Sequence, residues 1–189
     1  MQYSRFSIQG PVLVTPTRYG DARGWFAETF RQREFREEVA DVTFVQDNMS
    51  LSADAGTVRG LHYQSPPHAQ GKLVGVVRGA VRDVVVDARR GSPTYGQHIS
   101  VELSAETGAQ LWVPIGFLHG FATLVPDTVV TYKVTDTYAP LCDGGVAWDD
   151  PTLDIDWGLE AGATVVSDRD RAAPRWADWE SPFAMETDT

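Results

Sequence analysis

The sequence predicts an all-β protein, a sandwich or barrel of short strands with a few short helices at its periphery. Runs of β-branched and aromatic residues recur through residues 57–136, and Gly, Pro and Asp turn chemistry punctuates them. Helical spacing is confined to two short stretches, so the expected class is strand on strand rather than alternating strand and helix. A chain of 189 residues is long enough for one domain, residues 1–189, with a sizeable core.

The elements follow in order. RQREFREEVA (31–40) sets Phe35 and Val39 four apart on an otherwise charged segment, the spacing of a short surface helix. TVRGLHYQ (57–64) reads as a strand, although Arg59, Gly60 and His62 interrupt it. LVGVVRGAVRDVVVDA (73–88) reads as two antiparallel strands joined by a tight turn at Arg78-Gly79. HISVEL (98–103), QLWVP (110–114), HGFATLV (119–125) and TVVTYKVTD (128–136) are further strands, separated by the turn segments SAETG, PIG and VPD. DRDRAAPRWADW (168–179) holds another helical turn or two, interrupted at Pro174. No internal repeat, low-complexity tract or linker is evident.

Composition narrows the function classes. The N-terminus MQYSRFSIQG has no apolar core of a signal peptide, and no window approaches the roughly 18 apolar residues a membrane span needs, so a soluble, cytoplasmic protein is expected. The one cysteine, Cys142, has no partner for an intramolecular disulfide or a CxxC zinc cage. A formal net charge of -10 disfavours nucleic acid or an anionic membrane as partner. It also means that an anionic small ligand must be held by a local basic cluster, because the global field repels it.

Pro114-x-Gly116-x-x-His119 resembles the second motif of the cupin jelly rolls, in which the histidine points into the barrel. Metal-binding cupins add a His-x-His pair and a glutamate. Here the four histidines, His62, His68, His98 and His119, form no such pair, so no metal is expected. Read in order, GDARGWFAETF (20–30), FVQDN (44–48), RGLHYQ (59–64), AQGKLV (69–74), RRGSPTYG (89–96), QLWVP with GFLHGF, TYKVTDTYAP (131–140), WDDPTLDIDW (148–157) and SDRD (167–170) resemble the dTDP-4-dehydrorhamnose 3,5-epimerase family. The likeness runs from about residue 11 to 171. It implies a cupin-like jelly roll and the inversion of the two carbons flanking the ketone of a nucleotide-linked 4-keto-6-deoxyhexose.

Such a reaction needs a base, a group to stabilise the enolate, and an acid on the opposite face, and no cofactor. Consistent with this, no GxGxxG follows a strand. The resemblance implies His62 as the base and Asp170 as its orienting carboxylate, with Asp168 the competing choice and a helix N-cap the alternative role for Asp170. It implies Tyr132 as the acid, against an ordinary packed strand tyrosine, and Lys72 as the enolate stabiliser. Tyr138 shares or modulates the acid role, and His119 lines the pocket. Arg23 and Arg59 match binding positions for the diphosphate; Arg169 stands where the family often has lysine. Glu28, Gln46, Asn48 and Asp143 match further contact positions, Asp143 replacing a glutamate. Phe26 and Trp25 either stack on the base or fill a strand face. The resemblance further implies a homodimer in which strands cross, so that some ligand groups come from the neighbour.

Three functions stay open at this point: the 3,5-epimerase, a relative inverting a single carbon of a related nucleotide sugar, and a non-catalytic cupin that only binds. The strand 57–64 poses a geometric problem in each case. Strict alternation puts Arg59 on the face opposite His62, so a shared pocket requires an irregularity, and Gly60 is the residue that would permit one.

Overall fold

The computed structural model describes residues 1–160, 162 and 164–185. Its strands are β1 (Gln2–Arg5), β2 (Val12–Thr15), β3 (Arg18–Asp21), β4 (Gly24–Ala27), β5 (Gln46–Ser52), β6 (Thr57–Gln64), β7 (Lys72–Arg78), β8 (Ala80–Asp87), β9 (His98–Ser104), β10 (Gln110–Val113), β11 (Phe117–Thr123), β12 (Thr128–Val134), β13 (Asp143–Gly145) and β14 (Val165–Val166). Among the described residues, helix is limited to α1 (Gln32–Glu38), α2 (Asp168–Arg171) and one 3-10 turn at Trp176–Asp178.

The first sheet has the order β1-β2-β10-β7-β12-β5 and the second β13-β6-β11-β8-β9, with β14 adding in parallel to β6. β3 and β4 form a hairpin of their own. From β5 to β13 the chain changes sheet at every connection except β8 to β9, the alternation of a cupin-like jelly roll.

That alternation corrects one sequence expectation. The valine-rich stretch does turn at Gly79, which takes a positive φ of 80°, but β7 and β8 do not pair with each other. β7 lies between β10 and β12, and β8 between β9 and β11. The reason is burial on both faces of β8. Val81 and Val85 face the space between the sheets, while Val84 and Val86 face an outer layer. A strand apolar on both faces carries no alternation that could identify its partner.

Three apolar layers hold the fold. Val74, Val76, Val81, Val85, Leu111 and Phe117 fill the space between the sheets. Outside the second sheet, Val58, Leu61 and Leu118 pack against Leu153, Trp157 and Phe183 of the C-terminal third. Outside the first, Phe35 of α1 packs on Val12, Leu73 and Trp112. Each fully buried aliphatic or aromatic side chain contributes about 1.5–3 kcal/mol. At one end of the sandwich this filling stops, because the inward positions carry polar groups instead: Asn48 on β5, His62 on β6, Lys72 on β7, His119 on β11 and Tyr132 on β12 line a cavity.

The β8–β9 connection is organised by Asp87, which is fully buried. Its carboxylate accepts from Arg89 N (3.0 Å), Nε (2.9 Å) and Nη2 (2.7 Å), and from Ser92 Oγ and Thr94 Oγ1, both at 2.6 Å. Burial alone would raise its pKa, but the bonds from Arg89, Ser92 and Thr94 outweigh it and lower the value to about 2. A folded-state pKa below the unfolded value of about 3.9 gives stability that is present above that value and lost as pH falls through the folded one. We therefore expect Asp87→Asn to lose about 2 kcal/mol near neutrality. Urea titrations from pH 6 down to 2.5 should show the wild type converging on the variant; parallel curves would contradict this account.

Candidate active site

The site begins with an irregularity in β6. His119 lies opposite His62 and Phe121 opposite Arg59, so Gly60 and Leu61 together face the single residue Gly120. Beyond this bulge the side-chain parity is reversed. Arg59 and His62, three apart, face one cavity, while Val58 and Leu61 face the outer apolar layer. Only glycine fits here: Gly60 has φ 141°, and a Cβ would stand 2.5 Å from Gly120 Cα. The irregularity expected at Gly60 is thus present.

His62 Nε2 stands 2.6 Å from Asp170 Oδ1. Asp170 is 5% exposed and belongs to α2, whose N-cap is Ser167; the Asp170 amide donates to Ser167 Oγ at 3.1 Å. Asp170 is therefore not the cap, and Asp168 is not the partner, since its side chain is fully exposed and pairs with Arg171 at 3.1 Å. Gly60 N donates to Asp170 Oδ2 at 3.4 Å, tying the bulge to α2. Burial would raise the Asp170 pKa, but the His62, Gly60 and Ser167 hydrogen bonds hold it below the usual carboxylate range. An ionised carboxylate only accepts, so Nε2 of His62 is the protonated nitrogen of this contact, and in a neutral imidazole Nδ1 is the one with the lone pair.

Lys72 enters from the first sheet. Burial pushes its pKa below the ordinary lysine value, opposed by Asp143 and Asp83. Tyr132, on the inward face of β12 beside Val130, has its pKa raised by burial, and Arg59 opposes the shift. His119 Nε2 lies 3.0 Å from each oxygen of Asp83, a fully buried carboxylate on β8.

The cavity has two lobes, of about 520 and 410 Å³, which meet at His62, Lys72, Tyr132 and Arg169. The larger is walled by Arg59, His119, Phe121 and Val165. Gln46, Asn48, Gln64, Tyr138 and Asp143 line the smaller. At its rim, Arg169 Nη2 pairs with Asp143 Oδ2 at 2.8 Å, and Tyr138 Oη donates to the same oxygen at 2.9 Å. Burial would raise the Asp143 pKa, but Arg169, Tyr138 and His62 lower it. Arg59 donates to Ser52 Oγ and to the Leu51 carbonyl, both at 3.1 Å.

Eleven residues singled out from the sequence therefore converge: Gln46, Asn48, Arg59, His62, Lys72, His119, Tyr132, Tyr138, Asp143, Arg169 and Asp170. Arg23, Phe26 and Glu28 do not join them within one chain. Arg23 lies at the tip of the β3–β4 hairpin, paired with Asp21 at 2.6 Å; Phe26 is 70% exposed on β4, and Glu28 just beyond β4 pairs with Arg31. Asp83 and Gln64 were not singled out beforehand. Among the described residues, no group of three or more His, Cys, Asp or Glu is arranged to hold a metal ion, and no helix is long and apolar enough to cross a membrane.

Comparisons with known proteins show the family. A family model described as dTDP-4-dehydrorhamnose 3,5-epimerase matches residues 5–178. The enzyme of that name from Sinorhizobium fredii is 55% identical over 174 residues, spanning 92% of this chain and 89% of its own. That from Pseudomonas aeruginosa is 47% identical over 179 residues, 94% of this chain and 97% of its own. The dTDP-6-deoxy-D-glucose-3,5-epimerase of Legionella pneumophila, crystallised with dTDP-4-keto-L-rhamnose, superposes with a TM-score of 0.88 at 43% identity, covering 92% of both chains.

The bulge makes a direct prediction. Gly60→Ala forces a backbone contact and an unfavourable φ together, which should cost about 2–4 kcal/mol and lower Tm by roughly 5–15 °C. An unchanged melting curve would mean that β6 tolerates a regular ladder.

Proposed function

The chain belongs to the dTDP-4-dehydrorhamnose 3,5-epimerase family, and on that premise we propose that it converts dTDP-4-dehydro-6-deoxy-D-glucose to dTDP-4-dehydro-L-rhamnose. The observation that carries the mechanism is the 2.6 Å contact of His62 with Asp170, in a cavity shared with Lys72 and Tyr132. His62 Nδ1 removes the proton from a carbon next to the ketone, and the electron pair passes to the ketone oxygen. Asp170 compensates the imidazolium so formed. The Lys72 ammonium neutralises the enolate, an interaction of the kind worth about 3–4 kcal/mol. Tyr132, kept protonated by its raised pKa, returns a proton from the other face. Once His62 has released its proton to solvent and Tyr132 has regained one, the same steps at the second carbon complete the double inversion, and only protons are exchanged.

The substrate's diphosphate must be held against a net charge of -10. Arg59 and Arg169, guanidinium forks at the edge of the cavity, suit that task. Arg23, Phe26 and Glu28 enter this reading through a homodimer, in which the hairpin of one chain reaches the cavity of the next. Support comes from the exposed Trp25, Phe26, Met49, Leu51 and Val77, a collection of apolar side chains that a partner would cover. A cytoplasmic location accords with the free Cys142.

Incubation with the keto sugar in deuterated water should place deuterium at both C3 and C5. Label at one carbon would indicate a monofunctional relative, and at neither would sink the catalytic reading in favour of a binding module. His62→Asn should slow exchange by about 10²–10⁴-fold. The pH profile provides a separate check. Because the Lys72 pKa is lowered, the alkaline loss of kcat/KM should fall below the ordinary lysine value of about 10.4, and Lys72→Arg should move that limb upward. Sedimentation should give a dimer, and a mixture of His62→Asn and Arg23→Ala chains should regain activity that neither shows alone.

A further inference from the structure

Tyr138 raises a positional problem. It lies beyond the end of β12 at Val134, outside any ladder, and 56% of its surface is exposed. Packing therefore does not fix its ring. What does fix the segment is its backbone, which is tied at every residue from 135 to 139. The Thr135 amide donates to the Gly71 carbonyl at 3.1 Å, and its Oγ1 accepts from Gly71 N at 2.8 Å. The Asp136 carbonyl accepts from Gln70 Nε2 at 2.7 Å. The Thr137 carbonyl accepts from Gln64 Nε2 at 3.1 Å, Tyr138 N donates to Gln46 Oε1 at 3.2 Å, and Ala139 N donates to Gln64 Oε1 at 3.0 Å.

Gln64 is the centre of this arrangement. It is 5% exposed, and its amide uses both N–H groups, on the Thr137 and His68 carbonyls, as well as its oxygen. Its backbone position on β6 is opposite Asp143, the acceptor of the Tyr138 hydroxyl. Two residues earlier on the same strand, and on the same face, is His62. One side chain thus relates the strand that carries the base to the loop that carries the tyrosine. A buried amide with all its donors satisfied is directional in a way that apolar contact is not.

We infer that Gln64 is a positioning residue for the reaction: it holds the Thr135–Ala139 segment so that the Tyr138 hydroxyl stands beside Asp143 at the mouth of the smaller lobe, and it acts on the sugar through Tyr138. This rests on the reading of the cavity as the epimerase site. A residue that merely anchored a loop would affect stability and leave the tyrosine's contribution intact. A positioning residue has no effect left to exert once the hydroxyl is gone.

A double-mutant cycle with the full-length protein separates the two. Gln64→Met keeps the length of the side chain without its polar atoms, and Tyr138→Phe removes the hydroxyl. With the keto sugar in deuterated water, kcat, KM and label at each carbon are followed separately. We expect Gln64→Met to lower kcat about 10-fold, with the same carbon affected as in Tyr138→Phe, and to add less than about 2-fold in the Tyr138→Phe background. Multiplicative effects, or a fall in Tm with kcat unchanged, overturn the inference. Gln70→Met, which loosens the same segment at Asp136, should repeat the pattern at smaller amplitude and serves if Gln64→Met does not fold. Wild-type protein that incorporates no label at either carbon would overturn the epimerase reading and this inference with it, whereas normal wild-type labelling with multiplicative effects removes the inference alone.

Discussion

The close approach of Gly60 to Gly120 is the constraint on which the cavity depends. Were the β6 ladder regular, Arg59 and His62 would face opposite sides of the second sheet, and a cation and an imidazole could not share a chamber. By opposing two residues to one, the bulge reverses the parity of everything after it. The same local distortion turns the Gly60 amide towards Asp170. One irregularity therefore aims the histidine and helps to hold the carboxylate that orients it. The bulge is tolerated because β11, its partner, has glycine at the matching point and is otherwise buried along its whole length.

The electrostatics of the site work against the protein's own charge. A chain with 26 acidic and 16 basic residues repels anions at a distance, yet the cavity gathers Arg59, Lys72 and Arg169. Two of the nearby carboxylates are already engaged, Asp170 by His62 and Asp143 by Arg169 and Tyr138. Asp83 is taken up with His119. Pairing each acid with a specific partner leaves the Lys72 ammonium unmatched by any hydrogen bond among the described residues, in a setting where burial destabilises its charge. A cation in that state gains most from an oxygen on which negative charge develops.

Much of this was legible in the sequence, and the exceptions have physical causes. Strands at 98–103, 110–114 and 128–136 were recovered almost to the residue, because β-branched runs ended in clear turn chemistry. β11 begins at Phe117 rather than His119, since the turn is complete once Gly116 has taken its positive φ of 94°. The partner of β7 was misread because valine runs buried on both faces carry no period. In the site, His62 and Asp170 came from ordered motifs, but Asp168 and Asp170 could not be told apart by spacing alone; burial separates them. Asp83 had a signal that went unused: a carboxylate inside RGAVRDVVVDA must be buried, and a buried carboxylate requires a partner. Gln64 gave none, because its partners are backbone groups distant in the chain.

The alternation of strands between sheets has a consequence for how the protein reaches this state. β8 and β9 are the one pair between β5 and β13 that are consecutive and hydrogen-bonded to each other. β6 waits for β11, and β7 for β10 and β12. Contact order is correspondingly high, and the loop-closure entropy of these pairings must be met before they contribute stability. On the ribosome, the valine-rich β7 emerges with no ladder partner until synthesis has passed residue 110, and β5 has none until β12 follows. The nascent chain therefore carries unpaired strands from the emergence of β5 to that of β12, the interval in which exposed edges and apolar surface favour aggregation over closure of the barrel.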